Sequence, residues 1–80
     1  MAERNTVTVT LHVCDLLRQP GGTWDENSSW VRRFPGTAPT RTGAVRKALA
    51  KSGYRFRRDY WCESPCWRVP GTAIGAYLED

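Results

Sequence analysis

The chain has 80 residues, of which 12 are Lys or Arg and eight are Asp or Glu, so its formal net charge is +4. A chain of this length buries only about 60% of its unfolded surface, which excludes a second domain and a large catalytic cleft. With 40% apolar and 25% charged residues, it has the composition of a folded globular protein. We therefore expect one compact domain over residues 1–80.

The first predicted element is a strand from Thr6 to Leu16, where apolar and polar residues alternate as in a sheet with one buried face. The segment from Arg18 to Ser29 is rich in turn formers and acidic residues, which predicts an exposed loop. A short second strand from Trp30 to Phe34 would follow, and the turn formers from Pro35 to Pro39 would end it. The core face of the first strand would carry Val7, Val9, Leu11 and Val13, and its other face Thr8, Thr10, His12 and Cys14.

A helix is predicted next, because Thr40 or Thr42 can accept a hydrogen bond from a free backbone N–H of the first helical turn. It would run to about Ser52, and Gly53 fits the left-handed position that commonly follows a helix. Two cations four residues apart, Lys47 and Lys51, would project together from this helix. The stripe expected to pack on the sheet consists of Ala44, Val45, Ala48, Leu49 and Ser52.

Alternation of side chains returns at Tyr54 and predicts a third strand. Glu63 to Pro65 would reverse the chain, and Cys66 to Val69 would pair back as a fourth strand. The segment from Ala73 to Leu78 is apolar and fits either a strand or a helix. The predicted order is therefore ββαββ, an α+β fold in which a small antiparallel sheet of about four strands packs against one helix.

The sequence also indicates where the protein resides. No window approaches the roughly 18 consecutive apolar residues of a membrane span, and the N-terminus does not lead a basic stretch into an apolar one. Three cysteines cannot all pair with one another, which favours thiols in a reducing compartment. We therefore expect a cytoplasmic protein that makes no membrane contact.

Positive charge is concentrated in one part of the chain. The sequence from Arg32 to Arg68 has ten cations and two acids, a net charge of +8, whereas the remainder has two cations and six acids, a net charge of −4. Ten of the twelve cations are Arg, whose planar guanidinium binds phosphates and stacks on bases. Aromatic residues are interleaved with them, a combination typical of surfaces that bind phosphates and stack on unpaired bases.

We therefore predict a small basic binding module, not an enzyme, that contacts nucleic acid or a nucleic-acid-handling complex. Arg46, Lys47 and Lys51 would contact phosphates, and Trp61 would stack on a base. The predicted contact residues are Arg32, Arg33, Arg46, Lys47, Lys51, Arg55, Arg57, Arg58, Trp61 and Arg68.

The alternative interpretation is a protein–protein interaction module. The same Arg and Trp residues would then anchor a protein interface, because Trp, Tyr and Arg dominate binding hot spots. Such a module would be a compact inhibitor or adaptor of a larger nucleoprotein machine, of the kind that phages and mobile elements encode, anti-CRISPR proteins among them. Asp25 and Glu26 would be suited to occupy a nucleic-acid channel of the partner.

Catalytic and metal-binding motifs are weak in this sequence. His12 is the one histidine, and the sequence contains no phosphate-binding glycine loop and no paired-acid motif. His12, Cys14, Cys62 and Cys66 supply the four ligands that a structural zinc takes, but their spacing matches no common zinc motif. We predict no resident cofactor; Cys14 and Cys62 would instead be small buried side chains and Cys66 would cap a hairpin, or Cys62 and Cys66 would pair under oxidation.

The sequence VRKALAKSGYRFRR, from Val45 to Arg58, resembles the helix-to-strand junction of HicA-type toxins, which have a fold like that of double-stranded-RNA-binding domains. The resemblance covers about a sixth of the chain. Those toxins depend on a Gly-Ser-His element after the strand, and Asp59 to Cys62 occupies that place here. The resemblance therefore implies no ribonuclease activity.

Overall fold

The computed structural model describes residues 5–79 and confirms an α+β fold in which an antiparallel sheet packs against a helix. The order ββαββ with about four strands is corrected to ββαβββ with five strands. The described part of the chain contains no helix with the length and apolarity needed to cross a membrane. The elements are β1 (Val7–Arg18), β2 (Trp24–Ala38), α1 (Arg41–Ser52), β3 (Arg57–Asp59), β4 (Cys66–Arg68) and β5 (Ile74–Glu79).

The five strands form one sheet in the order β2-β1-β5-β4-β3, and every neighbouring pair is antiparallel. The segment from Ala73 to Leu78, ambiguous from sequence, contributes the middle strand β5. Its register places Leu78 opposite Leu11 and Ala76 opposite Val13. A middle strand is buried on both faces, and a continuous apolar run is typical of that environment.

The first hairpin differs most from the sequence prediction. The loop predicted from Arg18 to Ser29 is confirmed only for residues 19–23. It is wrong from Trp24 onward, because β2 begins at Trp24 and includes the predicted strand that starts at Trp30. Gly21 and Gly22 have φ angles of 96° and 90° and make a short turn between β1 and β2. Because β2 lies at the edge of the sheet, polar and acidic residues are tolerated along it.

Pro35 and Gly36 lie inside β2, although the sequence predicts that they end a strand. Gly36 is buried and pairs with Val9 of β1. A Cβ at Gly36 would overlap the carbonyl oxygen of Ala44 and lie 2.7 Å from the backbone nitrogen of Ala48. This glycine therefore allows close contact between α1 and the sheet. Glycine within a strand often marks a site where another backbone approaches closely.

Both ends of α1 have the caps predicted from the sequence. Thr40 precedes the helix, and its Oγ1 accepts a hydrogen bond from the backbone N–H of Gly43 at 3.1 Å. Gly53 follows the helix in the left-handed conformation, with a φ angle of 78°. The predicted core stripe is confirmed in the buried Ala44 and Ala48 and the half-buried Val45 and Leu49.

The third strand is much shorter than predicted. The alternation from Tyr54 predicts a long strand, but β3 contains only Arg57–Asp59. Tyr54 and Phe56 pack on the core ahead of it, with their ring centroids 5.4 Å apart. After the predicted reversal, β4 pairs with β3 over Cys66–Arg68, so the fourth strand is confirmed.

We call the side of the sheet that packs on α1 the helix face and the other side the second face. The helix face is the predicted core, with Leu11 of β1 fully buried. On the second face His12 and Cys14 are 5% and 0% exposed, although the sequence predicts one buried face only. Tyr77 stacks on His12 at a centroid distance of 4.5 Å, and Trp61 contacts Tyr77 edge-on at 6.0 Å.

The substitution Gly36→Ala should lower the free energy of unfolding by about 2–3 kcal/mol, because overpacking a close contact typically costs this much. Gly71→Ala is the control: a Cβ there meets no described atom within 4 Å, so it adds only the cost of a left-handed backbone, about 1 kcal/mol. Urea unfolding followed by circular dichroism measures both changes. Equal losses of stability would show that α1 is not seated on Gly36.

Candidate nucleic-acid interface

A groove lies beside α1 on the helix face. Because the small Ala44 and Ala48 sit against Gly36, α1 packs chiefly on β2 and β1 and leaves the half of the sheet formed by β4 and β3 open. The resulting groove has a volume of about 370 Å³. Its apolar lining comes from Val45 and Leu49 of α1, Trp67 of β4, Leu78 of β5 and Pro65.

Arginines border this groove on both sides. Arg41 and Arg46 extend from α1, and Arg58 extends from β3. None of the lining side chains within residues 5–79 is acidic, and α1 itself contains no acidic residue. Among the described residues, Arg46 and Arg58 have no ion-pair partner. The groove therefore combines an apolar floor with cationic edges, which suits a ligand that carries both negative charge and flat apolar groups.

Arg58 connects the floor of the groove to an exposed aromatic ring. Its guanidinium carbon lies 5.7 Å from the ring centroid of Trp67 and 5.7 Å from that of Tyr60, both within range of cation–π attraction. Trp67 is 8% exposed, whereas Tyr60, directly after β3, is 83% exposed. A ring this exposed beside a guanidinium group is a suitable platform for an unpaired base.

The sequence predicts Trp61, and not Tyr60, as the residue that stacks on a base. Trp61 is half-buried, and its Nε1 donates a hydrogen bond to the carbonyl oxygen of Trp67 at 2.9 Å. Trp61 thus covers part of the second face, where it contacts Tyr77. The alternation along the chain already places Tyr60 on the side opposite Trp61, but only the early end of β3 at Asp59 shows that its ring is left uncovered.

The ten residues predicted to contact a ligand do not form one surface. Successive residues of a strand point to opposite faces, so Arg57 and Arg58 diverge although they are neighbours in sequence. Arg46 and Arg58 line the groove, and Arg32 lies elsewhere on the helix face. Three cations are exposed outside the groove: Lys47, Lys51 and Arg55. The other four residues belong to the second face: Arg33, Arg57, Trp61 and Arg68.

Two of the predicted contact residues are held by carboxylates within the fold. Arg33 donates from Nε to Oε2 of Glu79 at 3.1 Å, and this hydrogen bond holds the pKa of Glu79 below its ordinary value. Arg68 donates from Nε to Oδ2 of Asp59 at 2.9 Å and from Nη1 to the carbonyl oxygen of Thr72 at 2.9 Å. Both arginines thus serve the second face of the sheet before any ligand binds.

His12 is the centre of a polar cluster on the second face. Its Nδ1 lies 3.2 Å from Oε1 of Glu79, and its Nε2 lies 3.2 Å from Oε2 of Glu26. The hydroxyl of Tyr77, whose ring stacks on His12, donates to Oε1 of Glu26 at 3.4 Å. His12 therefore links β1, β2 and β5 and uses both nitrogens to do so.

The three cysteines are free thiols in this structure. Burial raises the pKa of the Cys14 thiol to about 12 and that of Cys62 to about 11. Cys66 is buried and donates from Sγ to the carbonyl oxygen of Asp59 at 3.0 Å. Within residues 5–79 no three His, Cys, Asp or Glu side chains are grouped so that they could hold a metal ion. The residues considered for zinc, His12, Cys14, Cys62 and Cys66, thus have structural contacts here.

Comparison with known proteins identifies no relative: no family model, no curated protein and no solved structure matches this chain. Any functional assignment depends on the chemistry of the groove and of the residues around it.

The substitution Arg33→Gln should raise the pKa of Glu79 toward its ordinary value of 4.5, because Arg33 is the main group that stabilises this carboxylate. A lowered folded-state pKa stabilises the fold above pH 4.5, and that stabilisation is lost as the pH falls through the lowered pKa. Titration of the carboxyl carbon by NMR measures the pKa. Arg57→Gln, on the same face, is the control and should leave it unchanged; an unchanged pKa in Arg33→Gln would show that Arg33 does not pair with Glu79.

Proposed function

We propose that this chain is a small, non-catalytic nucleic-acid-binding module that holds the backbone of its ligand in the groove beside α1. The observation that supports this most strongly is a groove edged by Arg46 and Arg58, with no carboxylate among the lining residues that the structure describes, next to the exposed ring of Tyr60. We place the protein in the cytoplasm, since its three cysteines are all free thiols and a reducing compartment keeps them so.

The groove offers each part of a nucleotide a suitable contact. Guanidinium groups bind phosphate oxygens through pairs of charge-assisted hydrogen bonds, a role open to Arg46 and Arg58 on opposite edges. The apolar floor suits the sugar and base faces, and Tyr60 stacks on a base at one end. Lys47, Lys51 and Arg55, outside the groove, add a positive field that speeds the approach of a polyanion.

A protein partner is the second candidate, and a different part of the surface favours it. Trp30 and Val31 on the edge strand β2 are each 36% exposed, and Leu17 of β1 is 53% exposed. Together with Arg32 and Tyr54, the first two line a shallow cleft of about 280 Å³. Such a surface fits an inhibitor or adaptor of a nucleoprotein complex, because aromatic and Arg side chains anchor protein interfaces.

The substitution Arg58→Glu should weaken nucleic-acid binding about ten-fold to a hundred-fold, because it replaces a phosphate contact with a repulsive charge. Arg57→Glu is the matched control: it makes the same change in net charge one residue away, on the opposite face of the sheet. It should weaken binding less than about three-fold through long-range charge alone. Fluorescence anisotropy with labelled single- and double-stranded DNA and RNA, at two salt concentrations, measures the affinities.

Wild-type affinity should fall steeply with salt, since each neutralised phosphate releases condensed counterions. If the wild-type protein binds no nucleic acid at the lower salt concentration, the proposal is wrong. Equal effects of Arg57→Glu and Arg58→Glu would show that binding, if present, does not use the groove.

A further inference from the structure

A separate cleft of about 300 Å³ lies where the turn between β1 and β2 meets the end of β3. Three aromatic side chains line it: Trp24 at the start of β2, and Tyr60 and Trp61 directly after β3. Its polar lining includes Asp59 and Arg68. We call this the aromatic cleft. A concentration of three aromatic rings around a small opening is unusual for a surface that interacts only with water.

Trp24 also lines a neighbouring cleft of about 560 Å³, which includes Arg18 and Arg68. The guanidinium carbons of Arg18 and Arg68 lie 5.6 Å and 5.1 Å from the Trp24 ring centroid. Asp59 neutralises Arg68 at 2.9 Å, whereas Arg18 has no ion-pair partner in residues 5–79. Arg18, a cation that can bind phosphate, therefore lies next to the aromatic lining.

The polar groups of the aromatic cleft suit the edge of a base. Asp59 accepts two hydrogen bonds within the fold. Its Oδ1 accepts one from the backbone N–H of Tyr60 at 2.7 Å, and its Oδ2 accepts one from Nε of Arg68 at 2.9 Å. A carboxylate has about four acceptor sites, so these two hydrogen bonds leave about two sites for further donors. In nucleic-acid complexes, acidic side chains accept a hydrogen bond from the exocyclic amine of cytosine. The cleft thus offers rings for stacking and an acceptor for the base edge.

We propose that the aromatic cleft binds one unpaired nucleobase of a single-stranded nucleic acid, with the base against Trp24 and Tyr60 and its phosphate on Arg18. This inference rests on the proposed function and specifies its ligand. Tyr60 borders the aromatic cleft and is also in contact with Arg58 at the edge of the groove, so one strand can pass from the groove around the end of β3. A duplex cannot bind in this way, because its bases are already stacked inside the helix.

The test compares two labelled oligonucleotides of about ten nucleotides, a length within the range that small single-strand binders cover. One is oligodeoxycytidylate, and the other has the same backbone with abasic sites. The wild-type protein should bind the oligodeoxycytidylate about ten-fold more tightly, because stacking on aromatic side chains contributes this much per base. Trp24→Leu and Tyr60→Ser should each reduce this ratio toward one and leave affinity for the abasic strand unchanged.

Trp30→Leu is the matched control, since Trp30 is an exposed tryptophan of the same strand that does not line the aromatic cleft. It should preserve the preference for bases. Tyr60→Ser guards against misfolding as an explanation, because a side chain that is 83% exposed contributes little to the core. Circular dichroism spectra of all variants should match the wild-type spectrum.

Equal wild-type affinity for the two oligonucleotides, with salt-dependent binding intact, would overturn the base site and leave the proposed function standing. Absence of binding to either strand would overturn both. Deoxycytidine monophosphate serves as the third probe: competition at concentrations equal to those of the oligonucleotide would show that the ligand is a free nucleotide, and would overturn the assignment to a strand.

Discussion

The contact between α1 and Gly36 determines how the rest of the surface is arranged. With no Cβ at this position and with Ala44 and Ala48 above it, the helix approaches the backbone of β2 closely and is seated over one side of the sheet. A longer side chain at any of these positions would move the helix outward. The exposed remainder of the helix face becomes the groove, and Arg46 and Arg58 reach its two edges from α1 and β3.

The second face of the sheet shows why a count of cations does not by itself locate a binding surface. There His12 lies between two carboxylates, Arg33 pairs with Glu79, and Arg68 pairs with Asp59. The carboxylates of Glu79 and Asp59 thus occupy the guanidinium groups of Arg33 and Arg68. The net charge of +8 between Arg32 and Arg68 therefore includes cations that are already paired within the fold as well as cations that remain open to a ligand.

Local patterns in the sequence predict an element correctly where a residue type has one structural use. The Thr40 and Gly53 caps, the alternation of β1 and the core stripe of α1 follow from backbone hydrogen bonding and periodicity. The sequence predicts a turn at Gly36, because a glycine that allows close packing looks the same in sequence as a glycine in a turn. The candidate site could be predicted only in part, since the end of β3, which exposes Tyr60, depends on tertiary pairing with β4.

Chemical-shift mapping of the ¹⁵N-labelled protein during titration with a single-stranded oligonucleotide shows whether the ligand occupies the groove beside α1, because it reports which backbone amides sense the ligand. We expect the largest shifts at Arg46, Leu49, Arg58 and Tyr60, around this groove. Val31 on the edge strand β2 should change little. Shifts confined to the edge strand around Val31, with none at the groove, would show that the ligand binds elsewhere.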